Sequence, residues 1–358
     1  MRFLFRADAS TAIGSGHVVR CASLAQALAA AGHEVHFACR SLAGDLNHWL
    51  EAEGFRVHKI LGVADAAMTE SMDADATMKS VPAQRYDWLI VDHYELGAAW
   101  ERAMAALVDR VFVIDDLGRR HDCRLLLDQN YGNPVHAQYP ARVPPQCELL
   151  LGAEFALLRP EFTALRAMSR RRGRQSVSRL LVFMGGSDAS NETGKALEGV
   201  GRSDIPDLAV DVVIGAGNPH RRAVANLCAA MDRTTLHVQT NQMAQLMSAA
   251  DCAIGAAGTT TWERCALGLP ALVTVLAENQ TAIAEAVDAA GAHRLLGRPR
   301  DLTADHYARA LRALSAADLA RMSREAAAIC DGNGTERVAA RLIAGLGDSA
   351  GVMGHLNA

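Results

Sequence analysis

The chain has 358 residues, half of them hydrophobic and 21% charged, with a formal net charge of -4 and a pI near 6.4. That length accommodates two ordinary domains with full cores, while the charge gives no general attraction to nucleic acid or to an anionic membrane. Chemistry on a small molecule is the class that fits. Eight cysteines without any Cys-x-x-Cys pair are expected to be reduced core residues rather than a disulfide frame or a zinc site. No apolar run has the length of a signal peptide or a membrane span, so a cytoplasmic protein is expected.

From residue 1 to about 160, apolar runs of strand length alternate with helical patterns, which argues for a mostly parallel sheet covered on both faces. Strands are expected at 2–6, 34–39, 55–60, 88–91, 111–114, 125–127 and 148–151. The first leads into Arg6-Ala-Asp8-Ala-Ser-Thr-Ala-Ile-Gly14-Ser-Gly16-His17, where a helix begins that runs to a stop at Gly32. A strand, a glycine-rich turn and a helix N-terminus let backbone N–H groups approach an anion closely. His17 stands at the positive end of that helix, a place that disfavours the imidazolium and suits a general base. A plain tight turn with a capping histidine explains the same stretch equally well.

In sheets of this kind ligands bind at the carboxyl ends of strands. Asp8 follows the first strand, Asp92-His93-Tyr94 the fourth, Asp115-Asp116 the fifth and Asp128-Gln129-Asn130 the sixth. Each alone reads as a turn or cap, since Asp and Asn favour strand exits for their own hydrogen bonds. Together they suggest one cleft. No His-plus-carboxylate spacing matches a metal cage, so no metal and no cofactor is expected.

Residues 161–176 form a basic stretch expected to be a solvated linker, after which the pattern restarts over 177–346. Strands are expected at 179–183, 208–214, 236–238, 252–254 and 271–275. Gly185-Gly186-Ser187 after the first of these can cradle a phosphate, and Gly258-Thr259-Thr260-Thr261 offers a second turn and helix start with hydroxyls, suited to a diphosphate. Glu263 lies one turn further on, where a carboxylate can accept both hydroxyls of a ribose or merely answer the helix dipole. The fold expected is α/β, two Rossmann-like domains with a cleft between them, followed by a disordered tail at 347–358.

The run Gly258-Thr-Thr-Thr-Trp-Glu263-Arg-Cys-Ala-Leu-Gly-Leu-Pro-Ala271 resembles the nucleotide-sugar signature of the glycosyltransferase B fold, in particular that of the lipid II N-acetylglucosaminyltransferase. Taken with Arg6-Ala-Asp8, Ile13-Gly-Ser-Gly-His17-Val-Val-Arg20-Cys21, Val91-Asp-His-Tyr94, Glu278-Asn279-Gln280 and Asp331-Gly-Asn-Gly334, the sequence resembles a narrower family, over residues 1 to about 346. That family is the UDP-2,4-diacetamido-2,4,6-trideoxy-β-L-altropyranose hydrolases of pseudaminic acid biosynthesis. The resemblance implies metal-independent hydrolysis of a UDP-sugar with inversion at the anomeric carbon. It makes His17 the base, with Tyr94 and Asp8 beside it. Tyr94, Asn279 and Gln280 would help place water and sugar, and Gly14 and Gly16 would face the substrate. UDP would be held by Gly185, Gly186, Ser187, Gly258, Thr259, Thr260 and Glu263, with uracil near the backbone of Thr240 and the side chain of Met243. No partner beyond the substrate is implied, and a monomer is the expected state.

Three other readings stand beside it. A glycosyltransferase with the same donor site would want a basic amphipathic surface for a lipid-linked acceptor, and the first half has no such segment. A reductase using Gly14-x-Gly16 and Arg40 for NADP lacks the third glycine of its fingerprint, because Val19 stands there. A non-catalytic UDP-sugar sensor leaves His17 without a task.

Overall fold

The computed structural model describes residues 1–61, 69–171, 173–186 and 188–345. Among the described residues, thirteen strands form two parallel sheets. The first contains β1 (Arg2–Ala7), β2 (Glu34–Arg40), β3 (Arg56–Ile60), β4 (Trp88–Asp92), β5 (Val111–Ile114), β6 (Leu125–Asp128) and β7 (Glu148–Leu151). The second contains β8 (Arg179–Phe183), β9 (Ala209–Ile214), β10 (Thr234–Val238), β11 (Cys252–Ala256), β12 (Ala271–Thr274) and β13 (Arg294–Gly297). Their orders are β3-β2-β1-β4-β5-β6-β7 and β10-β9-β8-β11-β12-β13, so the two halves repeat one winding plan. In each, the strand order reverses between the first and fourth strands, where a crevice opens at the carboxyl edge.

The inner strands β4, β5, β6, β11 and β12 read as near-continuous apolar runs because both faces of each sheet are covered there. Phe3 and Phe5 point into one core of the first sheet and Leu4 into the other; Leu180 and Val182 are divided from Leu181 in the same way in the second. Side chains alternate across a strand, so a sheet buried on both sides has no place for a polar stripe.

Three differences from the sequence reading have physical causes. The basic stretch expected to be a solvated linker is largely a helix, Pro160–Arg171, whose Phe162 is buried in the core of the second half. Arg166 donates to the carbonyls of Ala266, Ala327 and Cys330, and buried Arg174 donates to Ser169 and Ala250, so these cations satisfy carbonyls at helix ends rather than facing solvent. β13 escaped the periodicity because it is four residues long and only half-buried. The 347–358 tail lies outside the described residues.

The motif Asp331-Gly-Asn-Gly334 has a structural use. A Cβ on Gly334 would lie 2.4 Å from the carbonyl oxygen of Ala156. Arg337 pairs with Asp331 and donates to the carbonyl of Glu154 at 2.7 Å. The helix Gly334–Ile343 is thereby docked on the first half, where Val338 and Leu342 join the core beneath β1.

Candidate functional site

Helix α1 (Gly16–Ala30) starts directly behind the turn after β1, and no side chain caps its first residues. Gly14 takes a φ of +85°, a conformation open to glycine at little cost. A methyl group placed on Gly16 would lie 3.9 Å from Cγ2 of Thr259, so the start of α1 faces the Gly258-Thr259 turn of the other half.

His17 is buried, and its Nδ1 lies 2.6 Å from Oδ1 of Asp92, the last residue of β4. Arg20, one turn along α1, donates to the same carboxylate through Nε at 2.5 Å and Nη2 at 2.6 Å. Burial alone would raise the Asp92 carboxyl, but the charge of Arg20, with that of His17 behind it, holds it well below the usual carboxylate range. An ionised carboxylate only accepts hydrogen bonds, so Nδ1 carries a proton toward Asp92. Arg20 offsets the negative charge that would otherwise stand alone beside the ring.

Tyr94 packs edge-on against His17 with 4.7 Å between ring centroids, and its hydroxyl donates to Asp116 at 3.4 Å. Burial raises its phenol, so it serves as a donor. Asp115 and Asp116, adjacent in sequence, differ sharply. Asp115 is fully engaged by Arg119, Tyr139 and His121, while Oδ1 of Asp116 is buried without a partner and burial raises that carboxyl.

Asp8, expected among the catalytic groups, already has a full set of partners. Its Oδ1 accepts from Nη1 of Arg6 at 2.6 Å and the amide of Arg40 at 2.8 Å; its Oδ2 accepts from Nε of Arg40 at 2.5 Å and Nε2 of His93 at 3.1 Å. Arg6 is shared in turn with Asp73. A carboxylate so saturated, and 1% exposed, has no lone pair to offer a substrate. Its task is to fix the ends of β1 and β2.

In the second half, Gly185 has a φ of +93°, and a Cβ on Gly215 would lie 2.4 Å from the carbonyl of Gly186, so the two turns touch backbone to backbone. Ser187 lies outside the described residues. Asp188 accepts from the amides of Glu192 and Thr193 and caps the helix Glu192–Gly201. Thr259 is exposed, and the hydroxyl of Thr260 accepts from Arg264 at 3.2 Å. Gln280 approaches Gly258, where its Nε2 would lie 3.7 Å from an added Cβ, and Asn279 beside it is exposed. Thr240 is half-buried, its hydroxyl accepting from the amide of Gln242. Met243 does not line an open pocket: its side chain is 7% exposed and belongs to the core.

Glu263 is half-buried on the helix Thr260–Ala266, and no hydrogen bond to its side chain occurs among the described residues. Burial pushes its carboxyl up to about 7, against the weaker opposing charges of Arg159 and Arg264.

No protein-family model matches the chain. Over 69% of its length it is 24% identical to the UDP-2,4-diacetamido-2,4,6-trideoxy-beta-L-altropyranose hydrolase of Campylobacter jejuni, covering 82% of that protein. Over 81% of its length it is 26% identical to the spore coat polysaccharide biosynthesis protein SpsG of Bacillus subtilis, again covering 82%. Among solved structures it resembles Acinetobacter baumannii MurG, with a TM-score of 0.66 at 16% identity over 96% of this chain and 99% of that one. The glycosyltransferase VinC, determined in complex with dTDP, gives a TM-score of 0.62 at 17% identity, with 96% and 99% covered. The fold is that of the two-domain glycosyltransferase B enzymes. At these identities the structural likeness establishes the fold alone.

Two residues of the site lay beyond sequence reasoning in their roles. Asp92 was visible as a strand-end acid, but its bond to His17 spans 75 residues. Arg20 shares a face of α1 with His17, three residues away, and that spacing is the one signal that could have drawn it in.

Proposed function

We propose that the protein is an inverting hydrolase that removes UDP from a UDP-linked sugar, its substrate being UDP-2,4-diacetamido-2,4,6-trideoxy-β-L-altropyranose, in pseudaminic acid biosynthesis. The observation that carries this reading is the buried Asp92–His17 pair in the first turn of α1, a helix whose first residue, Gly16, approaches Thr259. Water attacks the anomeric carbon and gives its proton to Nε2 of His17, while the bond from that carbon to the diphosphate oxygen breaks and UDP departs. Asp92 holds the Nδ1 proton and so steadies the imidazolium that forms.

Charge developing on the leaving diphosphate is met by the backbone N–H groups and hydroxyls around Gly185, Gly186, Ser187, Gly258, Thr259 and Thr260, and the ribose hydroxyls donate to Glu263. Electrostatic stabilisation of this kind is commonly the largest catalytic contribution, and it needs no divalent cation. Tyr94, Asn279 and Gln280 place sugar and water. The relatives in Campylobacter and Bacillus support the reading, and the glycosyltransferase neighbours supply the alternative of transfer to an acceptor.

The test is UDP release from a panel of UDP-sugars, with 2,4-diacetamido-6-deoxy sugars set beside UDP-N-acetylglucosamine, in the presence of EDTA. Release with no acceptor present, fastest on a diacetamido sugar and indifferent to the chelator, is expected. Strict dependence on an added acceptor overturns hydrolysis in favour of transfer.

A further inference from the structure

The eight cysteines are not alike. Cys21, Cys39, Cys228, Cys252, Cys265 and Cys330 are buried, with burial raising every thiol, Cys39, Cys252 and Cys265 to about 12. Cys123 and Cys147 form a pair. Their sulfurs lie 3.6 Å apart at the amino ends of β6 and β7, the edge opposite the one that carries Asp92. The frame around them is tight: the amide of Glu148 donates to the carbonyl of Arg124 at 3.0 Å, and the Arg124 guanidinium donates to the carbonyl of Gln146.

We propose that Cys123 and Cys147 are a reversible oxidation site, Cys147 reacting with a hydroperoxide and Cys123 resolving the product to a disulfide. Three observations carry it. Their sulfurs already lie 3.6 Å apart, so side-chain rotation alone has to close the gap to the about 2.05 Å of an S–S bond. Cys147 is half-buried and open to a small reagent, whereas Cys123 is 4% exposed. The surroundings favour the Cys147 thiolate: the hydrogen bond with Cys123 is the largest influence, and together with the cations of Arg124 and His121 it outweighs the opposing effects of burial and Glu101. His121 is a buried cation held between Glu101 and Asp115, raised to about 8. A stabilised, accessible thiolate beside a second thiol is the arrangement of redox-sensing cysteines.

The step balances. The Cys147 thiolate attacks the peroxide oxygen, forming an S–O bond as the O–O bond breaks, and the leaving alkoxide or hydroxide takes up from solvent the proton that the Cys147 thiol had released, departing as alcohol or water. The Cys123 sulfur then attacks the Cys147 sulfur, forming S–S as the S–O bond breaks, and hydroxide departs with the Cys123 proton as water. Two thiols lose two electrons, and the peroxide gains them.

The full chain is treated in its folded state with dilute hydrogen peroxide, quenched with an alkylating agent and mapped by non-reducing peptide mass spectrometry. The expected product is a Cys123–Cys147 peptide about 2 Da lighter than the separate thiol peptides, abolished by dithiothreitol, with the other six cysteines still alkylated on unfolding. In Cys123→Ser the oxidation should halt at Cys147 sulfenic acid, trapped by dimedone. The site is overturned if Cys147 stays a thiol while other cysteines oxidise, if Cys147 goes on to sulfinic acid in the intact chain with Cys123 free, or if a different pair is joined.

Discussion

At the carboxyl edge of the first sheet, Asp8 and Asp92 have arginine and histidine partners before any ligand arrives, whereas at the carboxyl edge of the second sheet Glu263 has none among the described residues. The two edges have the same winding and the same position in it, so topology does not make the difference. Work does. A base must be held in one tautomer and one orientation throughout turnover, and a buried ion pair provides that. A nucleotide grip gains affinity by leaving donors and acceptors unsatisfied until the ligand supplies their partners.

The largest effects should follow from breaking the preassembled edge. His17→Asn keeps a polar side chain but cannot take up the proton, and turnover should fall roughly 10²–10⁴-fold while UDP affinity measured by calorimetry stays within twofold. Asp92→Asn should lose on the order of 10³-fold, because an amide can also donate to Nδ1 and so admits the wrong tautomer. Near-normal turnover by either variant returns His17 to the role of a helix cap.

Asp8→Asn tests whether the same edge holds a structural charge beside a chemical one. It leaves Arg6 and Arg40 short of a partner, and breaking a buried pair typically costs about 3–5 kcal/mol. Denaturant unfolding should show a loss of that size. A stable variant with turnover abolished would instead put Asp8 back among the reacting groups.

Effects on the second edge should be smaller and should appear in binding. Glu263→Ala is expected to weaken UDP by about 1.5–3 kcal/mol, the range for hydrogen bonds to a charged group. Unchanged affinity would remove Glu263 from the site.

A gentler probe is pH. The folded chain holds Glu263 protonated up to about 7, above the ordinary carboxylate range. Ribose hydroxyls donate best to the ionised form, so UDP affinity should rise with pH to about 7 and level off, losing up to roughly tenfold per unit on the acid side. For folding the sign is opposite: the raised value favours the folded state below the ordinary range, and that contribution is lost as pH rises through about 7. An affinity that is flat between pH 5.5 and 8, or equally sloped in Glu263→Ala, contradicts the assignment.

The contrast between the edges also marks where the sequence stops being legible. Runs such as Trp88-Leu-Ile-Val and Leu180-Leu-Val announce buried strands because each residue is apolar, and the glycines and threonines of the turns announce a close approach to a ligand. Partnership across distance is silent in the chain. Nothing in the sequence shows that Asp8 is spent on Arg6, Arg40 and His93 while Asp92 belongs to His17, since both read only as acids after strands. Arg166 and Arg174 looked like a solvated run because composition does not show the carbonyls they meet. Met243 looked available to a base because its helix position does not show that its side chain joins the core. Cys123 and Cys147 are 24 residues apart, and only the pairing of β6 with β7 brings them together.

In the proposed reaction His17 delivers water to carbon rather than to phosphorus. Turnover in ¹⁸O-labelled water, with both products analysed by mass spectrometry, tests it most directly. The account predicts one ¹⁸O at the anomeric hydroxyl of the released sugar and none in UDP. Label in the β-phosphate of UDP would mean P–O cleavage, which a base on the first sheet, across the cleft from the diphosphate turns, does not explain.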